Sequence, residues 1–232
     1  MSIALRLVRS SIRGATLAVG LLLASPIVAP ALGAQAPTVS PAQPVRLAIP
    51  DAKTRQAVER EIARAVGRGL PPAPLVAKAM EGVTKQAAPD RIRSAVASQA
   101  QRLEQARGLL APTPSEAELV SGAEALAAGI PGAMLKQVRA AWPAQSVVMP
   151  LDVLTELVAR GVPPKQALER VVTLMRRGAT AGQIAGLGAA VQADVAAGLA
   201  PDAALEVRAR GVMSLLPSPA AAAALAPSGR RP

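Results

Sequence analysis

Residues 69–72 read Gly-Leu-Pro-Pro, and 92 positions later residues 161–164 read Gly-Val-Pro-Pro. Each quartet follows a helix-like run and precedes another, which limits what the chain can build. Glycine lacks a Cβ and suits the left-handed residue that closes a helix. The apolar residue after it can tuck back onto the preceding turn. Proline then opens the next helix, where a missing N–H costs nothing. The quartet is therefore a helix–turn–helix corner. Gly129-Ile130-Pro131 shortens the same device, and Gly198-Leu199-Ala200-Pro201 spreads it by one residue. No phosphate-loop Lys-Ser/Thr or dinucleotide pattern accompanies any of them, so they do not read as ligand loops.

Between the corners the sequence predicts an all-α body of about nine short helices. The expected spans are 54–67, 72–86, 89–109, 114–128, 132–142, 150–160, 164–177, 181–197 and 201–215. Ala, Leu, Glu, Gln, Arg and Lys dominate these stretches, whereas strand formers are sparse. Ser115-Glu116-Ala117-Glu118 and Thr180-Ala181-Gly182-Gln183 fit capping boxes. The core they imply is unusual. Phe, Tyr and Cys are absent and Trp142 is the single Trp, so apolar volume must come from Leu, Val, Ile, Met and Ala. Small side chains bury less area each, and stability then needs many contacts at about 25 cal/mol per Å².

The offset of the two quartets continues on both sides without a gap. Val66 matches Val158, Arg68 matches Arg160, Ala87 matches Ala179, Ile92 matches Ile184 and Ala97 matches Ala189. Val76, Ala79, Met80 and Val83 form one helical stripe, and Leu168, Val171, Val172 and Met175 occupy the same four offsets. This predicts an approximate duplication of a three-helix unit, seen at about 54–109 and again at about 150–197. A partial unit at 114–142 lies between them, and the third unit of the body extends to 215. Units of this kind bury their stripes by stacking, as a helical repeat or an irregular helical bundle.

The first 34 residues read as an address rather than as part of the fold. Arg6, Arg9 and Arg13 precede an apolar run, and small residues at Ala31 and Gly33 suit cleavage after Gly33, with Ala34 as the alternative. A retained N-terminal membrane anchor competes, because the run is about long enough to span, although Pro26 and Pro30 interrupt it. The expected organisation is a cleaved signal peptide at 1–34, a Pro-rich linker at 35–53, a helical repeat domain at 54–216 and a disordered tail at 217–232. The expected location is periplasmic or secreted.

The run Gly69–Ile92 resembles a segment of uncharacterised exported bacterial helical proteins. The residues that carry the likeness are Gly69, Leu70, Pro71, Pro74, Leu75, Lys78, Glu81, Gly82, Lys85, Pro89, Arg91 and Ile92. It covers about a tenth of the chain, and implies bacterial export and helical structure without any activity.

Chemistry is thinly represented. Without His or Cys, the commonest triads and zinc sites cannot be assembled. No Ser-x-x-Lys or Gly-x-Ser-x-Gly pattern occurs. Acids are scattered, and the close pairs Glu59/Glu61 and Glu116/Glu118 point to different sides of a helix. The expectation is a protein that is not an enzyme and has no cofactor, metal or catalytic residue. Trp142, ending the run MLKQVRAAW, reads either as a plug between small-residue helices or as a possible interface anchor. The formal charge of +11 invites an anionic partner. Nucleic acid fits poorly, because the basic residues are dispersed and stacking aromatics are missing. The leading expectation is an exported, non-enzymatic helical scaffold or adaptor contacting another cell-envelope protein. The alternative is an electrostatic binder of anionic lipid or cell-wall polymer through Arg-rich helix faces.

Overall fold

The computed structural model describes residues 47–217. The expected signal peptide, most of the expected linker and all but the first residue of the expected tail lie outside them. Among the described residues the protein is all-α, with nine helices and no strand: α1 Ala52–Gly67, α2 Ala73–Thr84, α3 Pro89–Leu109, α4 Glu116–Ala127, α5 Gly132–Ala141, α6 Val148–Ala159, α7 Pro164–Arg176, α8 Ala181–Ala196 and α9 Pro201–Ser214.

The helix ends follow from the punctuation. Gly69, Gly129, Gly161, Gly178 and Gly198 all have positive φ, and so does Gln86 at φ 52°. Behind each of these six residues the next amide reaches back to a carbonyl five residues earlier. These are Leu70 N to Ala65 O, Ala87 N to Gly82 O, Ile130 N to Ala125 O, Val162 N to Leu157 O, Ala179 N to Leu174 O and Leu199 N to Asp194 O, all 2.9–3.0 Å. This is the Schellman closure, which satisfies carbonyls the helix itself leaves open. Leu70, Ile130 and Val162 are buried, so in these corners the apolar link docks into the core as well. At the starts, both capping boxes form in full, at Ser115 and at Thr180. Asp51 caps α1 by accepting from Thr54 N at 2.7 Å. The helix α6 begins at Val148, two residues before the expected start at Pro150. A first-turn proline is tolerated because its N–H would have no intrahelical acceptor there.

The packed body also begins earlier than expected. Leu47 and Ile49, assigned above to a linker ending at 53, are buried in the core. Arg55 Nη1 donates to Ile49 O at 3.0 Å and ties that segment to α1.

Two apolar clusters form the interior. One gathers Leu47 and Ile49 with α1, α2, most of α3, and Leu119 and Ala123 of α4. The other runs from Leu110 and Ala125 through α5–α9. Leu126 of α4 packs against both. The helix α3 packs against α1, α2, α4 and α5, and α6 packs against α4, α7 and α8. The two triplets matched by the 92-residue offset share an α1–α3 and an α6–α8 pairing. They differ in the middle helix. α2 lies along α3, and the position of a Cβ on Gly82 would be 2.9 Å from Ile92 Cγ1. At the offset position stands Leu174, buried in the second cluster, and α7 packs against α5, α6 and α9. The side chain that α2 lacks is present in α7, where Leu174 lies beside Ala209 and Met213 of α9.

Candidate functional site

The most connected polar group in the interior lies where α4, α5 and the α5–α6 loop meet. Glu118 is the third residue of α4 and completes the capping box, its Oε2 accepting from Ser115 N at 2.9 Å. Helical geometry then aims its other oxygen away from the cap. Oε1 accepts from Arg139 Nη2 of α5 at 2.5 Å and from Val147 N at 3.0 Å. Arg139 uses its remaining terminal nitrogen on the loop: Nη1 donates to Trp142 O at 3.2 Å and to Gln145 O at 3.0 Å. The two side chains are only 7% and 14% exposed, against well over 30% for one or both partners in most surface ion pairs here. The buried Nε–H of Arg139 has no hydrogen-bond partner among the described residues.

Burial pushes the Glu118 carboxyl up. The backbone bonds from Val147 and Ser115, with the bond and charge of Arg139, outweigh that push and hold it below the ordinary glutamate range. The group is therefore an anion at neutral pH, locked against one cation and two amides. Such a pair is weak evidence of net stability but costly to break by halves, since either partner left alone is a buried charge.

Shallow clefts lie on either side of the loop. One, of about 330 Å³, is lined by Thr113, Ser115, Glu118, Arg139, Gln145 and Ser146 among others. The second, of about 660 Å³, is bounded by Trp142, Gln145, Ser146, Met175, Arg176 and Thr180 among others. Trp142, the candidate anchor from sequence, is 7% exposed and belongs to the second apolar cluster. Its Nε1 donates to Met175 O at 3.4 Å. The indole thus fills space between α5 and α7 and shows only an edge to the larger cleft.

Several of the scattered carboxylates are paired with cations instead. Glu104 meets Arg68 and Arg107, Glu156 meets Arg160, Glu81 sits between Lys78 and Lys85, and Asp90 meets Arg93. The two lysines hold Glu81 down to about 2. Among the described residues no three acids converge on a metal-sized space, and no helix is long and apolar enough to cross a membrane. The capping half of Glu118 was legible in its sequence motif. Its bonds to Arg139 and Val147, 21 and 29 residues away, carry no local signal. Comparison with protein-family models, curated proteins and solved structures finds no match to this chain.

Proposed function

We propose that this chain is an exported, non-enzymatic helical scaffold or adaptor that contacts another cell-envelope protein. The observation that carries the reading is a leader-like N-terminus placed ahead of an all-α body many of whose charged side chains are engaged in caps and ion pairs. A body of that kind offers shape rather than reactive groups, as stacked-helix binders do. Export predicts a mature chain beginning at Ala34 or Gln35, read by mass from an envelope fraction. Crosslinking in the native envelope, followed by identification of the captured protein, tests the adaptor role. Repeated recovery of the chain without any envelope protein would count against it.

The body is further read as an approximate duplication at an offset of 92 residues. Equivalent buried positions support this: Leu75 with Ala167, Ala79 with Val171, and Ile92 with Ile184. So do the matching corners at Gly69 and Gly161 and the matching helix starts at Pro89 and Ala181. The differing neighbours of α2 and α7 weigh the other way. An experimental structure in which α1–α3 and α6–α8 fail to superpose would reject it.

The second reading, an electrostatic binder, is favoured by the net charge of +11. Its weight sits unevenly. Arg6, Arg9, Arg13, Arg46, Arg230 and Arg231 lie outside residues 47–217, which hold 20 Lys and Arg against 15 Asp and Glu, an excess of +5. Many of those 20 are paired with acids. Sedimentation with anionic vesicles at low and high salt separates the two readings. Binding abolished by moderate salt supports the electrostatic one, as screening shortens to below about 8 Å.

A further inference from the structure

The loop between α5 and α6 is pinned at its ends by Trp142 and Val147, both buried in the second apolar cluster, while the residues between them are held by polar contacts. Residues 143–146 are all exposed and add nothing to the core. Gln145 and Ser146 line the clefts on both sides, so the loop is undercut along its length. Beside that packing, one pair of side chains ties both ends. Arg139 grips Trp142 O and Gln145 O, and Glu118 grips Val147 N. Among the described residues the loop has one further side-chain hydrogen bond, a long one from Val148 N to Ser146 Oγ at 3.4 Å.

We propose that residues 143–146 are a strap latched by the Glu118–Arg139 pair, and that its release uncovers Trp142. Segments with few apolar contacts open at lower cost than the core around them. The latch makes that opening all-or-none. Separating Glu118 from Arg139 in place would leave two buried charges without partners, so the pair parts only when the strap moves and water enters. Trp142 follows the strap because it is the first residue beyond α5, at φ −130° and ψ 78°, and its carbonyl is one of the gripped groups. Its indole is otherwise retained by packing and by the single long bond to Met175 O. An uncovered indole is the anchor that the proposed adaptor would present; the purpose of the strap rests on that reading, whereas the latch itself does not.

The chain has one Trp and no Tyr, so its intrinsic emission comes from Trp142, the residue next to the strap. The variants are Arg139→Lys, whose ammonium cannot hold two carbonyls and a carboxylate in one plane, and Glu118→Gln. Both are expected to keep the helical far-ultraviolet spectrum while acrylamide quenching of Trp142 rises. Hydrogen exchange at the Val147 amide is expected to accelerate about tenfold or more, the shift given by losing one charge-assisted bond. Unchanged quenching in both folded variants would overturn the latch. If either variant fails to fold, the wild-type chain decides. Exchange at Val147 faster than in the buried turns of α6 supports the strap, and exchange only on global unfolding rejects it. A strap that opens in a chain that captures no envelope protein would leave the latch standing and the adaptor reading in doubt.

Discussion

Gln86 closes α2 in the left-handed region, where its Cβ crowds the following carbonyl. At the offset position stands Gly178, which adopts φ 85° without that penalty. Gln86→Gly is therefore expected to stabilise the protein by about 0.5–1 kcal/mol, since relief of strain exceeds the added entropy of the unfolded glycine. A urea midpoint that falls instead would contradict it. Glu118 supplies the pH prediction. Its folded pKa lies below its unfolded value, so its contribution is complete above about pH 4.3 and is lost as pH falls through the lower, folded value. Glu118→Gln is expected to cost about 2 kcal/mol at neutral pH, because Arg139 keeps its charge in a buried place. That difference from wild type should narrow at about pH 3. Thermal melts of both chains at the two pH values check it.

At the scale of elements, glycines in helices divide by what surrounds them. A Cβ on Gly82 would stand 2.9 Å from Ile92 Cγ1, in the α2–α3 contact. One on Gly186 of α8 would meet nothing within 4 Å. Both substitutions to alanine gain about 1 kcal/mol of helix propensity. At Gly82 the forced shift of Ile92 costs about 1–3 kcal/mol, so Gly82→Ala is expected to destabilise or break even. Gly186→Ala should stabilise by about the full propensity term. Denaturant midpoints of the two variants must therefore differ, and equal values would show that the α2–α3 contact yields freely. Helix existence was legible because each helix carries its own stop and start. The corner glycines at 69, 129, 161 and 198 and the caps at Ser115 and Thr180 act within a few residues of themselves. The expected spans 72–86 and 164–177 stop close to the observed ends of α2 and α7, but the left-handed closures at Gln86 and Gly178 are not legible, because no proline follows at once to mark them. The early start of α6 was missed because Pro150 reads as a first helical residue, although a first turn holds it two positions further in.

At the scale of the molecule, two apolar clusters meet across α3 and α4, and Leu126 touches both. Leu126→Ala should cost about 2 kcal/mol or more and lower one common unfolding midpoint. Val66, 47% exposed on α1, should tolerate alanine with little change. Differential melts of the two variants check the contrast, and an unaltered Leu126→Ala midpoint would mean that the clusters are joined elsewhere. Which stripes meet could not be read from periodicity. α2 and α7 share corner and stripe, yet α2 lies along α3 with Gly82 at the contact, whereas α7 packs against α5 and α9. Nor did Leu47 and Ile49 look like core, since a short extended segment has no helical period to betray it. By itself, then, the sequence determined that the chain is helical, where most helices stop, and that small aliphatic side chains must fill the interior. Those are short-range matters of dihedral preference, capping and composition. The pairing of helices, the burial of Trp142 and the junction of Glu118 with Arg139 and Val147 were decided only in three dimensions. Each depends on volumes and charges that approach across 20 residues or more, beyond the reach of any local pattern.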